Sequence, residues 1–315
     1  MQRDGALEPG KHARIAAGVM TEQGISIGVS VPAQRPAFHW HSVFWFVICV
    51  IPVVAVCLPL GLFLVTGFWH VDNGTMVPAL SLDNYANFFS NPTYVSVLRQ
   101  TLTLAAEVAI GNMLVGFGIA YFIWRCPQGW HFPLLVLGTI PLLMSYIIKL
   151  YALRSILGNN GFLNQALIAV GVFEKASDLF LFNQTSILIT MGIIYLPFSI
   201  LPIYLTLERI PLSLLHASAD LGGSAWQTFR HVTLPCSLPG TVVGGMFSLI
   251  LALGDFVTPQ MVGGVKGFTF GRLIWSQFGM AFDWPFGAAM ATILLILSLC
   301  VILVAGAIIK RAEAA

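Results

Sequence analysis

The segment ERIPLSLLHASADLGGSAWQTFRHVTLP, Glu208–Pro235, stands between two long apolar blocks and carries its own helix punctuation. Pro211 suits the first turn of a short helix, where a backbone N–H has no intrahelical partner to lose. That helix is predicted to run to about Leu221, and Gly222 or Gly223 can take the left-handed conformation that ends it. Ser224 then caps a second helix, and Gln227, three residues on, completes a capping box. Trp226 and Phe229, at i and i+3, give this second helix an apolar stripe. Pro235 and Pro239 are expected to stop it and to restart the chain as a new apolar helix. The product is a bent two-helix element. Capping alone does not separate a docking element from a plain connector.

Outward from this segment the chain becomes strongly apolar. It has 315 residues, 57% hydrophobic and only 9% charged, against about 25% charged in an ordinary soluble domain. Its mean hydropathy is +0.85. A hydrocarbon core about 30 Å thick is spanned by roughly 20 apolar helical residues. Six stretches qualify: Val43–Phe68, Leu98–Trp124, Phe132–Leu153, Ser186–Leu207, Gly240–Val262 and Phe286–Ile309. Pro52 and Pro59 are expected to kink the first, Lys149 enters the third, and Gly254-Asp255 interrupts the fifth. The expected fold is therefore an all-α membrane protein of about six transmembrane helices. Basic residues set its orientation. With the N-terminus inside, the inner segments hold Arg3, Lys11, Arg14, Arg35, Arg125, Arg209, Arg230, Lys310 and Arg311. The outer side holds Arg99, Lys149, Arg154, Lys175, Lys266 and Arg272. Both termini are thus expected in the cytoplasm, and Glu208–Pro239 becomes the one sizeable inner loop between spans. The chain is read as a polar cytoplasmic tail over 1–41, a first helix and outer loop over 42–93, a transmembrane domain over 94–309 that contains loop 208–239, and a cytoplasmic end over 310–315.

The spacing in the loop resembles the "EAA" loop of ABC importer permeases, which reads E-A-A, three residues, Gly, nine residues, an aliphatic residue, one residue, Leu-Pro. Here it stands as His216-Ala217-Ser218, Gly222, Val232 and Leu234-Pro235, with every interval matched, and Asp220-Leu221-Gly222 is similar to the family's D-L-G. The resemblance implies a type I ABC importer permease fold in a bacterial inner membrane, with this loop docking on an ATP-binding subunit. His216 stands where the family carries Glu, which removes a fixed negative charge, and Ser218 stands where it carries Ala. Gly158-Asn159-Asn160-Gly161-Phe162-Leu163-Asn164 and Leu253-Gly254-Asp255-Phe256-Val257-Thr258-Pro259-Gln260-Met261-Val262-Gly263-Gly264 are similar to segments of spermidine/putrescine-type permeases, the first of the two permeases in such systems. The likeness covers the chain from about Tyr94 onward. It implies import of a polyamine or a related amine, and opine- or amino-acid-like solutes remain open. The implied partners are an ATP-binding subunit, expected as a homodimer, a second permease subunit and an extracytoplasmic solute-binding protein. No segment matches G-x-x-x-x-G-K-[ST], so no phosphate cradle is expected on this chain and ATP belongs to the partner subunit.

Ionisable residues within apolar spans mark the candidate translocation path, because they are costly in lipid and face a bundle interior, a partner or water. These are Asp255, Glu107 and Lys149, all placed by residue count in the outer half of the membrane. An acidic pair there could meet a cationic amine. The alternative is that Glu107 or Asp255 neutralises Lys149. Tyr146, Tyr151, Tyr195 and Trp275 could stack on an amine, or serve as interfacial and packing residues. Gly111, Gly116, Gly118, Gly240 and Gly244 are expected to allow close helix approach. The five cysteines, Cys49, Cys57, Cys126, Cys236 and Cys300, form no C-x-x-C pair, and the seven histidines form no H-E-x-x-H, so neither a disulfide framework nor a metal site is expected. A net charge of +2 without a basic, aromatic-rich run gives no reason to expect nucleic-acid binding. A serine-type intramembrane enzyme needs a nucleophile and a histidine in adjacent spans, and the histidines lie mainly in tails and loops; a stand-alone secondary transporter lacks a visible inverted repeat.

Overall fold

In the computed structural model residues 40–313 are described, apart from 73, 176, 178, 179 and 266. The polar tail therefore lies outside the described residues except for its last two positions, as does Lys266. The chain divides into two units, Met1–Ala55 and Val56–Ala315. Described residues 40–55 of the first form the start of helix α1, Trp40–Thr66, which runs unbroken through Pro52 and Pro59. In the second unit a short antiparallel hairpin follows, β1 (His70–Asp72) and β2 (Thr75–Val77), turning at Gly74 with φ +79°. The remaining elements are helical: α2 (Asp83–Ser90), α3 (Pro92–Arg125), α4 (Gln128–Leu143), α5 (Tyr146–Leu157), α6 (Phe162–Ala169), α7 (Gln184–Glu208), α8 (Leu212–Asp220), α9 (Ala225–Thr228), α10 (Leu234–Gly254), α11 (Val257–Val262), α12 (Phe270–Ser276) and α13 (Trp284–Glu313).

Among the described residues five helical stretches are long and apolar enough to cross a bilayer: Phe46–Thr66, Pro92–Arg125, Gln184–Glu208, Ala225–Gly254 and Trp284–Arg311. The expected third span differs. It is a pair of helices meeting at 99°, and counting it as one gives six. The break falls at Met144 and Ser145, whose backbones are extended at ψ 145° and 136°. Pro141 lies just before it, within the last turn of α4. The expected fifth span is also redrawn. α10 stops at Gly254, Asp255 is extended, and α11 is a separate short helix. At its other end α10 does not start afresh at a proline. One π-helical turn over Phe229–Thr233 joins α9 to α10, and Pro235, which has no N–H to donate, follows directly on that turn, where the regular α-helical ladder is already interrupted. The Leu98–Trp124 stretch lies inside a longer helix, α3, whose 34 residues measure about 51 Å. Its start is fixed by Asn91, whose side chain accepts from the Thr93 N–H, with Pro92 next.

The centre of the second unit is a mutual packing of α3, α7 and α10. Leu104, Val108, Ile187, Met191, Ile194 and Leu253 are buried there together. Lipid tails are as apolar as these side chains, so burial from water does not drive the association. Close packing and interhelical hydrogen bonds do. Gly244 and Gly116 both lie against Ser199. A Cβ at Gly244 would fall 2.9 Å from Ser199 Cα, and one at Gly116 3.0 Å from Ser199 Cβ. Gly240 similarly abuts Thr206 and the Pro202 carbonyl. Into this narrow seam is set a polar ladder: Asn112 Nδ2 donates to Ser248 Oγ at 3.1 Å, the Ser248 and Ser199 hydroxyls are 2.9 Å apart, and Ser199 Oγ donates to the Gly244 carbonyl at 3.0 Å. Gly111 and Gly118, also expected at close crossings, have nothing within 4 Å of a would-be Cβ. Cys49, Cys57, Cys236 and Cys300 are exposed, Cys126 is half-buried, and all five are free.

The seam predicts opposite effects of one methyl group. Gly244→Ala should lower stability by about 1–3 kcal/mol through overpacking against Ser199. Gly111→Ala should be neutral or raise stability by up to about 1 kcal/mol through helix propensity. Thermal unfolding midpoints of the two variants in detergent check this, and equal shifts would contradict it.

Candidate functional site

The two breaks in the long helices meet at one carboxylate. Asp255 follows the last residue of α10 and is only 8% exposed. Its Oδ1 accepts from the backbone N–H groups of Val257 (2.9 Å) and Thr258 (3.1 Å), which starts α11. Its Oδ2 accepts from the hydroxyls of Tyr146 (2.6 Å) and Tyr195 (2.8 Å). Tyr146 is the first residue of α5, immediately after the break with α4, and Tyr195 lies near the middle of the 25-residue α7. Tyr146 Oη also lies 2.7 Å from Thr258 Oγ1 and 3.2 Å from Tyr195 Oη. With the Tyr146 proton committed to Asp255, Thr258 is the donor in that contact. An ionised carboxylate at this depth is tolerable only when such donors replace its water.

Asp255, Tyr146, Tyr195, Lys149, Phe198 and Phe256 line one cavity of about 450 Å³. Of the three candidate path residues, two are therefore brought together. Glu107 is not with them. It is exposed and lines a separate cavity of about 250 Å³ with Asn112, Leu188 and Gly192. Lys149 does not pair with Asp255. Its ammonium stands over the Tyr146 ring, 5.7 Å from the centroid. Trp275 stacks on Phe256 with centroids 6.2 Å apart, as a packing residue. Tyr151 is exposed. Of the four aromatic residues considered, Tyr146 and Tyr195 reach the carboxylate.

Neighbouring segments hold this junction. Ser186 Oγ at the start of α7 donates to the Val262 carbonyl at 2.8 Å, and the Phe182 N–H donates to the same oxygen, also at 2.8 Å. In the Gly158–Asn164 segment the buried Asn164 donates to the carbonyls of Gly158 (3.0 Å) and Ser177 (3.2 Å) and accepts from the Ser177 N–H (3.1 Å). Both sequence segments singled out for their motif thus carry a break before a short helix, held by buried polar groups.

The two-helix element has the expected punctuation. α8 ends with Leu221 as its cap and Gly222 at φ +77°. The Gly223 N–H returns to the Ser218 carbonyl at 2.9 Å and the Gly222 N–H to Ala219 at 2.9 Å, satisfying carbonyls that the helix end leaves open. Ser224 Oγ accepts from the Gln227 N–H (3.3 Å) and Gln227 Oε1 from the Ser224 N–H (2.7 Å). The Ser218 and Thr228 hydroxyls lie 2.7 Å apart and tie the helices together. Phe229 packs on Phe117 and Tyr121 of α3 and stacks on Trp226. His216, Ala217 and Asp220 are exposed, and Ser218 is half-buried. Leu221 is 89% exposed and Trp226 66%. Val232 falls in the π turn, and Leu234 and Pro235 begin α10.

Residues 24–313 match the family described as "Binding-protein-dependent transport system inner membrane component". The chain belongs to this family. It is 33% identical over 245 residues to the spermidine/putrescine transport system permease protein PotB of Salmonella typhi, covering 78% of this chain and 85% of that one. It is 36% identical over 245 residues to the inner membrane ABC transporter permease protein YdcU of Escherichia coli, covering 73% and 77%. The fold is similar to a chain of a bacterial ABC transporter involved in import of the acidic polysaccharide alginate, with TM-score 0.70, 15% identity, and 86% of this chain and 96% of that chain covered. The protein is an inner-membrane permease subunit of an ABC importer, and ATP hydrolysis falls to a separate ATP-binding subunit.

The four bonds to Asp255 predict its role in stability. Asp255→Ala leaves two hydroxyls and two N–H groups without their acceptor and should cost on the order of 3 kcal/mol. Tyr146→Phe should cost about 1 kcal/mol. In the Asp255→Ala background Tyr146→Phe should add little, since the acceptor is already gone. Additive losses in unfolding midpoint would show that the hydroxyl and the carboxylate act independently.

Proposed function

We propose that this chain forms, with a second permease subunit, the translocation path of an importer for small aliphatic amines of the putrescine and spermidine class. The reading is carried by the relationship to PotB over 78% of the chain, taken with an intramembrane cavity that combines a carboxylate with two tyrosines. Aromatic faces and hydroxyl groups suit an alkylammonium group, which is held by cation–π attraction and hydrogen bonds. The broken backbones at Met144-Ser145 and Asp255-Phe256 fit a substrate path, because opened backbone at membrane depth is tolerated where it lines a cavity. A periplasmic solute-binding protein delivers the solute at the outer face, and both termini of the permease lie in the cytoplasm.

The α8–α9 element is the coupling device in this account. His216, Ala217, Ser218, Asp220, Leu221 and Gly222 form its docking half, and Val232, Leu234 and Pro235 tie it to α10. Exposed Leu221 and Trp226 are apolar groups at a helix corner, the kind of surface that a groove on a paired ATP-binding subunit would cover. The π turn leaves α9 continuous with α10. A movement of the element is then passed along α10 to Gly254 and Asp255 without a flexible joint. His216, in place of a carboxylate, docks through shape and hydrogen bonding, with no fixed negative charge.

ATP-dependent uptake of labelled putrescine by the full transporter tests this reading, with and without Gly222→Val. Any L side chain at φ +77° is strained by roughly 1–2 kcal/mol, and valine should open the corner. Uptake is expected in the parent and should fall at least tenfold in the variant at equal membrane levels. Normal uptake by a properly inserted Gly222→Val protein would remove the coupling role. No amine uptake by an assembled, ATP-hydrolysing parent complex would remove the amine.

A further inference from the structure

The charge that the Asp255 cavity presents is not that of its carboxylate. Asp255 is already the acceptor of four hydrogen bonds, two from backbone N–H groups and two from tyrosine hydroxyls. Its lone pairs point into those donors. What faces the cavity next to it is the Lys149 ammonium, half-buried and standing 5.7 Å above the centre of the Tyr146 ring. That same ring carries the hydroxyl that donates to Asp255 and meets Thr258. An aliphatic ammonium on an aromatic face, with a carboxylate beyond the ring, is the arrangement that an arriving alkylamine would itself seek.

We propose that Lys149 is a resident counter-amine, a specificity-determining residue whose ammonium occupies the Tyr146 face until the solute's own ammonium displaces it. The proposal rests on the amine reading of the cavity. Three features carry it. Lys149 stands one helical turn beyond Tyr146 on α5, so its reach to the ring is built into the helix and needs no other element. Its four-carbon stem is flexible and can swing its charge to a wetter level when displaced. The ring stays in place when the lysine leaves, because its hydroxyl is anchored to Asp255 and Thr258. An empty cavity then keeps a balanced charge, and a second cation in it meets repulsion from the first unless Lys149 withdraws. Lys149 thereby sets how much positive charge the path accepts, and it weights the path against solutes that fail to take its place on the ring.

The test measures putrescine binding to the intact transporter complex in lipid nanodiscs without binding protein, for the parent, Lys149→Met and Lys149→Arg. Methionine keeps length and apolar stem and removes the charge. Arginine keeps the charge and the capacity to cover the ring. Lys149→Met is expected to bind putrescine about tenfold more tightly than the parent, the scale of one like-charge contact removed from a partly buried site. The gain should be larger for spermidine, and Lys149→Arg should bind as the parent does. Equal putrescine binding by parent and Lys149→Met would overturn the role of Lys149 while leaving the amine reading intact. Absence of amine binding to either, in complexes whose ATPase is active, would overturn both. Glutamate binding that appears in the parent and is lost in Lys149→Met would also overturn the proposal, by making Lys149 the receptor of an anion.

Discussion

A carboxylate in the middle of an apolar bundle must find its own solvent, and Asp255 finds it in four donors from three helices. Two come from the N–H groups that open α11, one from α5 and one from α7. Each donor is available only because a helix is interrupted or a tyrosine is placed at the right level. α10 must stop at Gly254 for the N–H groups of Val257 and Thr258 to be free. α4 must turn sharply at Ser145 for Tyr146 to point inward. The requirement to satisfy one charge thus explains two departures from straight helices that would otherwise be unfavourable in lipid.

Around this junction the rest of the second unit is arranged as a rigid frame. The α3–α7–α10 centre is narrow because Gly116, Gly240 and Gly244 admit Ser199, Thr206 and the α7 backbone. The Asn112–Ser248–Ser199 ladder fixes the rotational register of the three helices. Slippage by one residue would put polar side chains against hydrocarbon. The N-terminal end of α10 joins the α8–α9 element through a π turn, which widens the helix without ending it. One continuous element therefore extends from the exposed Leu221–Trp226 corner to the buried carboxylate.

How much of this was legible depended on the kind of signal. Hydropathy over some twenty residues located α7 and α13 to within four residues at each end, since both are long apolar blocks. The α8–α9 corner was readable from Pro211, Gly222, Ser224 and Gln227, because caps and left-handed turns are local chemistry written in a few positions. The 99° break in the third span was not, since Phe132–Leu153 reads as one apolar run and the break is decided by where Tyr146 finds its partner. The fifth span carried a visible warning in Gly254-Asp255, and the break fell there. Pro235 pointed in the other direction, because a proline directly after a π turn is compatible with a continuous helix. Asp255 and Lys149 were identifiable as charges out of place. Their partners were not, because hydrogen bonds spanning 60 and 109 residues leave no trace in spacing. The same holds for Gly111 and Gly118, which look like Gly116 and Gly244 in sequence and differ only in what lies opposite.

The proposed mechanism requires the solute to pass the Asp255–Tyr146–Tyr195 junction. An electron cryomicroscopy structure of the whole transporter tests it most directly, with putrescine-loaded binding protein and a non-hydrolysable ATP analogue holding the complex in mid-cycle. The account predicts density for the amine in the cavity beside Tyr146, with the Lys149 side chain swung off the ring. Density for the amine elsewhere along the subunit interface, with the Asp255 cluster closed and Lys149 still over Tyr146, would contradict it.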